Sequence, residues 1–250
     1  MNKKNLLSIL TPTHNRGTKF LIQAIESVSR QREDGFTHEH IIVDNKSTDD
    51  TRKLVQAMAK KDKRIKYVYN PRNLGAADAL NVAFKKSKGQ LIVPMDDDDL
   101  LPRSSLQFRY NFFKQNPKVK WAYGHIAYID EDNRLFENLA ELGPKPMVKN
   151  NFLYSLLVKN FTPGGSITFR RECVKKVGGW NPDLLTQDYD MNLKLAAAGF
   201  IPHKMDSYLY YYRQHPKQAH REQIKAGIYA KERAHYLKLY KVTEEFLKKL

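Results

Sequence analysis

Four consecutive carboxylates, Asp96-Asp97-Asp98-Asp99, follow a short apolar run, Leu91–Met95. Side by side at a strand end they repel one another, and at neutral pH they favour a cation among them. Extended backbone puts alternate side chains on one side, so Asp96 and Asp98 are expected to face one site together. Hard oxygen donors suit Mg²⁺ or Mn²⁺ shared with the phosphates of a ligand. The competing reading is a solvated acidic turn capping a helix that begins near Pro102. Two further polar groups also follow apolar runs. Thr11-Pro12-Thr13-His14-Asn15-Arg16 offers a backbone stiffened at Pro12, a hydroxyl at Thr13 and, at His14, a flat ring on which a base can stack. Asp44 can accept a hydrogen bond from a base or ribose, next to the helix-capping cluster Ser47, Thr48 and Asp49.

Such groups meet only if strand ends are brought together. Leu6–Leu10, His40–Val43, Ile65–Tyr69 and Leu91–Met95 read as strands. Between them Thr18–Arg30, Asp49–Lys61 and Ala76–Lys86 carry helical periodicity, the last stopped by Gly89. Alternating strands and helices predict a parallel sheet with helices on both faces. Ligands of such sheets bind beyond the carboxyl ends of the strands, where Thr11, Asp44, Asn70 and Asp96 all fall. The remainder is less regular. Lys120–Tyr128, Leu135–Asn138, Pro163–Phe169 and Tyr208–Tyr212 read as strands, Glu141–Lys149 as a loop and Tyr189–Ala198 as a helix. From Lys217 to Leu250 the pattern is helical and basic, with nine Lys/Arg against four Glu. The simplest organisation is one domain over 1–216 followed by a helical tail, 217–250.

The 250 residues are 41% hydrophobic and 28% charged, enough for a core, which excludes disorder as the main state. A net charge of +16 favours acidic partners: nucleic acid, phosphorylated small molecules, anionic polymers or a membrane surface. The single cysteine, Cys173, cannot form an internal disulfide, which fits a reducing compartment. No stretch approaches the ~20 apolar residues of a spanning helix, and the first residues lead into a strand-like run rather than a leader. The expectation is a cytoplasmic protein. Its tail could pack on the domain, pair with a second copy, or touch the inner face of an anionic membrane.

Five blocks in order carry a resemblance. LSILTPTHNR is similar to a strand followed by P-T-Y-N-R, and HIIVDNKSTDDT to I-V-D-D-x-S-x-D-x-T. NLGAADALNVAFKKSKGQ resembles N-x-G-x-x-x-A-x-N-x-G-x-x-x-A-x-G, and LIVPMDDDDLLP resembles a D-x-D-D metal motif with its following proline. FTPGGSITFRRECVKKVGGWNPDLLTQDYDMNLKLAAAGF resembles a segment that ends in E-D-x-D-L-x-L-R-L. Over residues 6–215 the chain resembles the family-2 glycosyltransferases of the GT-A fold. The resemblance implies an α/β domain with a Rossmann-like, mixed, mostly parallel sheet flanked by helices, extended here by C-terminal helices. It implies a nucleotide-binding half near 1–100 and an acceptor half near 101–216. It also implies inverting transfer of a sugar from a nucleoside diphosphate, UDP-sugars favoured, to a hydroxyl of a glycan, lipid-linked or protein acceptor, of the kind used in bacterial polysaccharide or glycoconjugate synthesis.

Residue by residue, the resemblance places Pro12, Thr13, His14, Asp44, Asn73, Gly75 and Asp97 on the nucleotide. It places Asp96 and Asp98, with His215 of Tyr212-Arg213-Gln214-His215, on Mn²⁺ or Mg²⁺. Gly164, Gly165, Trp180 and Asp99 fall to donor or acceptor, and Asp188 falls where the family has its catalytic base. The departures are Asn45 for a second Asp, His14 for Tyr, and Gln187 for the Glu before Asp188. Aligning from Pro102 shifts the metal motif by one, which keeps Asp97 and Asp99 as alternates. Three rival readings remain: a nucleic-acid-binding protein, suggested by the basic charge but leaving the acidic run unexplained, a metal-dependent nucleotidyltransferase, and an inactive glycosyltransferase-like scaffold, to which Asn45 and Gln187 point.

Overall fold

The computed structural model describes residues 5–17, 19–73, 75–136, 151–158, 160, 162, 164–216 and 227–248. Its centre is a seven-stranded sheet in the order β3-β2-β1-β4-β6-β5-β7. The first half alternates as its apolar runs predict: β1 (Leu6–Thr13), α1 (Lys19–Ser29), β2 (Thr37–Asn45), α2 (Thr51–Lys61), β3 (Ile65–Asn70), α3 (Gly75–Lys86) and β4 (Leu91–Pro94). Strands β3, β2, β1 and β4 are mutually parallel. Alternate side chains of each strand serve opposite faces. Leu7 and Ile9 of β1 pack with Ala24 and Val28 of α1, while Leu10 packs on the other face with Leu80 and Ala83 of α3.

The second half runs α4 (Ser105–Gln115), β5 (Trp121–Ile129), α5 (Phe152–Val158), a 3₁₀ turn at Gly164–Ser166, β6 (Thr168–Arg170), α6 (Arg171–Lys176), α7 (Gln187–Ala197), β7 (Pro202–Arg213), α8 (Ile228–Leu239) and α9 (Glu244–Lys248). β6 lies antiparallel between β4 and β5, and β5 pairs parallel with β7, so the sheet is mixed and mostly parallel. Several expectations are corrected here. The strand expected over Pro163–Phe169 shrinks to three residues, because Gly164 and Gly165 turn the chain before it. The strand expected at Leu135–Asn138 reduces to one isolated bridge from Leu135 to Ile129; its last two residues and the Glu141–Lys149 loop lie outside the described residues. The helix expected near Pro102 begins at Ser105. Helices α5 and α6 had no periodic signal long enough to separate them from buried strand.

The tail helices join the main core. Tyr236 and Leu237 of α8 and Leu247 of α9 belong to the same buried cluster as Trp121, Leu156 and Tyr189. Cys173 is wholly buried there, and its thiol is pushed up to about 12 by burial, so it acts as a small apolar residue.

Candidate functional site

Register builds the first edge of the site. Thr13 stands opposite Asp44 in the β1–β2 ladder, and Asn45 opposite Asn70 in the β2–β3 ladder. Asp44 is fully buried; one oxygen accepts the Tyr67 hydroxyl at 2.6 Å and the other the Ser47 N–H at 2.8 Å. Burial and the Asp44 carboxylate push the Tyr67 phenol upward. The His14 ring is exposed but pinned: Nδ1 donates to the Asn45 carbonyl at 2.7 Å and Nε2 lies 3.2 Å from the Asn15 amide nitrogen. Asn45 donates to the Gly75 carbonyl at 2.8 Å and accepts from Asn70 at 2.9 Å. An aspartate there would set its charge against the Gly75 carbonyl, so the departure at Asn45 is matched to the start of α3. Asn73 holds the same corner through the Gly75 N–H at 3.3 Å. Pro12 is half-buried on β1.

The acidic run is a turn rather than an extended strand, which overturns the expected alternation. Neighbours rather than alternates share a partner: the Arg16 guanidinium lies 3.6 Å from Asp97 and 3.8 Å from Asp98. Asp98 also meets His215 Nε2 at 2.9 Å. Asp96 keeps an open surface, while its backbone N–H donates to the Tyr210 hydroxyl at 3.0 Å. Asp99 is 0% exposed and accepts the Arg213 N–H at 2.7 Å, so it is a brace beneath the turn, not a contact for donor or acceptor. Burial raises the carboxyls of Asp97 and Asp99, desolvation at the rim of the turn raises that of Asp96, and the neighbouring charge of Asp98 raises all three further. Asp188 adds to the push on Asp96. Thr13 approaches Asp97 closely enough to hold its carboxyl down a little, yet its hydroxyl makes no well-formed hydrogen bond.

Arg213 locks the turn from below. Its Nε donates to the Asp98 carbonyl at 2.6 Å, its other nitrogens to the Asp130 carbonyl and Gln23 at 3.0 Å each, and it stacks over Phe20 at 4.6 Å. Phe20 in turn touches the His215 ring, with centroids 5.3 Å apart.

Among the described residues no set of three or more His, Cys, Asp or Glu surrounds a common point. A closed protein cage for a metal is therefore not built, but a cation completed by a ligand's phosphates needs fewer protein donors. Asp98 Oδ2 and His215 Nε2 stand at hydrogen-bond distance, 2.9 Å apart, and a carboxylate oxygen with an imidazole nitrogen is a donor set that Mn²⁺ would take. The pair fits, and Asp96, which keeps an open surface and feels the Asp98 charge, stands beside it.

Asp188 approaches from the second half. It lies in the first turn of α7, where the helix dipole favours negative charge. A Cβ on Gly164 would stand 2.8 Å from its Oδ2, so that glycine lets the carboxylate sit against the turn. A Cβ on Gly165 would stand 2.0 Å from the Tyr210 ring. The close approach expected of these glycines is thus toward protein, not ligand. Trp180 is corrected likewise: 3% exposed, it packs edge-on to Phe84 and Phe169, and its backbone is tied to Asn81.

Sequence reasoning missed the arginines that hold these pieces. Arg109, 0% exposed, donates to the carbonyls of Ser166 and Ile167 at 2.8 Å, to Thr168 Oγ1 at 2.6 Å, and to Gly165 and Leu209 carbonyls at 3.2 Å. Burial lowers it to about 9, with no carboxylate partner among the described residues. The only available signal was Ser105 and Arg109 at helical spacing, which an exposed helix face shows equally well.

The profile of the family described as Glycosyl transferase family 2 matches residues 8–178, spanning the first-strand loop, the acidic turn and the glycine turn. The chain belongs to that family. A glycosyltransferase of unassigned function from Methanocaldococcus jannaschii is 25% identical over 84% of this chain and 71% of its own length. A Bacillus subtilis glycosyltransferase named for teichuronic acid biosynthesis, TuaG, is 27% identical over 85% of this chain and 80% of its own. Other relatives are longer: the chain spans 18% of a Rickettsia bellii glycosyltransferase to which it is 36% identical over 135 residues. The GT-A arrangement recurs in the mannosyltransferase PcManGT of Pyrobaculum calidifontis, solved with GDP-Man and Mn²⁺, at TM-score 0.68 and 19% identity over 97% of this chain and 68% of that one. It recurs too in Staphylococcus aureus TarS 1-349 solved with UDP-GlcNAc, at TM-score 0.66 and 19% identity over 85% of this chain and 59% of that one.

Proposed function

We propose that this family-2 chain transfers a sugar, with inversion, from a nucleoside diphosphate donor to a hydroxyl acceptor. The observation that carries the reading is the meeting of two carboxylate groups of different origin at the glycine turn: Gly164 lies against the Asp188 carboxylate of α7 and Gly165 against the Tyr210 ring, whose hydroxyl accepts the Asp96 N–H of the turn after β4. Asp44, Thr13 and His14, with Pro12, Asn73, Gly75 and Asp97, line the nucleoside end. UDP is the favoured nucleotide, and TarS, solved with UDP-GlcNAc, supports this; Asp44, buried with both oxygens taken by Tyr67 and Ser47, shapes the floor of the base end from beneath. Arg16 stands beside Asp97 and Asp98 as a fixed positive charge for the diphosphate.

Asp98 and His215 would hold Mn²⁺ or Mg²⁺, and PcManGT, solved with Mn²⁺, supports that choice. Bound there, the ion supplies Lewis-acid stabilisation of the charge that gathers on the departing diphosphate. Asp188 takes the proton of the acceptor hydroxyl as it attacks the anomeric carbon from the face opposite the leaving group. Gly164 keeps that carboxylate free of side-chain crowding. The acceptor is a glycan or glycosylated carrier, and TuaG, named for teichuronic acid biosynthesis, supports that class. Among the described residues no helix is long and apolar enough to cross a membrane.

A thermal-shift panel of UDP, GDP, dTDP and CMP sugars with Mn²⁺ tests the reading. Stabilisation by one nucleotide class and release of that nucleotide on turnover are expected; no response to any donor overturns it.

A further inference from the structure

The family match ends at residue 178, yet the C-terminal helix α8 reaches the helix that carries Asp188. Glu232 of α8 is 9% exposed. One carboxylate oxygen accepts the Leu185 N–H at 2.7 Å and the other the Thr186 N–H at 3.1 Å, and the Thr186 hydroxyl donates to it as well. Thr186 is the residue before α7, and its carbonyl accepts the Asp190 N–H at 3.0 Å. A threonine here ordinarily caps its own helix through its hydroxyl. This one makes no such bond, because the hydroxyl is turned to Glu232. The entry to α7 is therefore fixed from outside, by a side chain 46 residues on.

Glu232 is itself held. The next residue, Arg233, donates to the Leu157 carbonyl at 3.0 Å and pairs with Glu244, and Tyr236 packs edge-on to Tyr189 of α7 at 5.1 Å. The same helix brings Tyr229 to Asp188. Partial desolvation and then the Asp188 charge raise that phenol, although its edge stays open.

We propose that Glu232 is a positioning residue: it sets the entry angle of α7 and so the place of the Asp188 carboxylate against Gly164 and the acidic turn. The proposal rests on the reading of Asp188 as base. A misplacement of about 1 Å at a reacting group costs up to about a hundredfold in rate, whereas loss of a helix cap alone lowers stability and leaves folded molecules active.

The test uses the full chain and Mn²⁺, following nucleotide release from UDP-GlcNAc or GDP-mannose. Glu232→Ala should lower kcat about tenfold or more, with the nucleoside diphosphate Kd within about twofold by calorimetry and the melting temperature still above the assay temperature. Glu232→Gln, which keeps one acceptor oxygen for one backbone N–H and sets an amide NH2 against the other, should fall between wild type and Glu232→Ala in kcat. Asp188→Asn with Glu232→Ala should be no slower than Asp188→Asn alone. Where Glu232→Ala does not fold, Glu232→Asp, which withdraws the carboxylate by one methylene, should lose kcat at unchanged Kd.

Wild-type kcat in a folded Glu232→Ala or Glu232→Asp overturns the proposal, as does a parallel loss of kcat and nucleotide affinity. An inactive Asp188→Asn with unimpaired Glu232 variants removes the positioning role only. Wild-type turnover in Asp188→Asn removes the base, and no turnover of either donor by the wild type removes both.

Discussion

On the β1–β3 edge of the site, polar side chains are placed by the ladder itself. Thr13 meets Asp44 and Asn45 meets Asn70 because parallel strands pair in that register. Beyond β4 no ladder does this. The acidic turn hangs from Arg213, the glycine turn from Arg109, and α7 from Glu232, each a buried charged side chain bonded largely to backbone. The first arrangement distributes its support over many backbone bonds, so that a single side-chain change is absorbed. The second concentrates support in single residues, and their loss should be felt at a distance.

The largest expected effect tests what the second region is for. Asp188→Asn should keep the fold and nucleotide affinity and lose about 10³-fold in turnover, equivalent to about 4 kcal/mol of transition-state stabilisation. Nucleotide release assays beside calorimetry check it, and turnover near wild type would leave the second region with no chemical role at this residue.

Arg109→Met comes next and tests the hanging principle directly. Methionine fills much of the volume but leaves the Ser166, Ile167 and Gly165 carbonyls without their donor. Losses of about 3 kcal/mol are expected, a fall of roughly 6–12 °C in melting temperature. An unchanged urea midpoint would show that the glycine turn holds itself.

How far each region can be read from sequence divides along the same line. Strand-end polar residues follow apolar runs in order, so Thr13, Asp44, Asn70 and the acidic run are visible before any fold is known. What is invisible is support that depends on long-range burial. Arg109 looks like any helix-surface arginine, Glu232 like part of a basic amphipathic tail, and Trp180 like a candidate platform until Phe84, Phe169 and Asn81 close around it. The acidic run shows the limit of local geometry. Alternation assumes extended backbone, and the chain turns there because Arg213 draws in the Asp98 carbonyl and the Asp99 carboxylate.

Metal and pH sharpen the comparison at the acidic turn. Asp96, Asp97 and Asp99 have carboxyls raised in the folded state. Raised carboxyls bind protons more tightly when folded, so their ionisation works against folding. In chelator, stability should fall as pH rises above about 4, the ordinary carboxylate range, through the raised values. Mn²⁺ should reverse the fall, more at pH 8 than at pH 5, and should restore turnover lost to EDTA. Melting curves across pH with and without Mn²⁺ check this. Full activity in chelator would remove the cation from the turn, and His215→Ala should shrink the Mn²⁺ effect.

The smallest effect belongs to the ladder side. Asn45→Asp restores the acid usual in the family, at a position where the amide nitrogen donates to the Gly75 carbonyl at 2.8 Å. The substitution turns that attraction into a repulsion between carboxylate and carbonyl, while Asn70 can still donate to the other oxygen at 2.9 Å. The net cost should be about 1 kcal/mol, or roughly 2–4 °C, with turnover within about twofold of wild type, because the β2–β3 ladder keeps the backbone in place. A loss as large as that of Arg109→Met would show that Asn45, too, carries its corner alone, and the contrast between the two regions would fall.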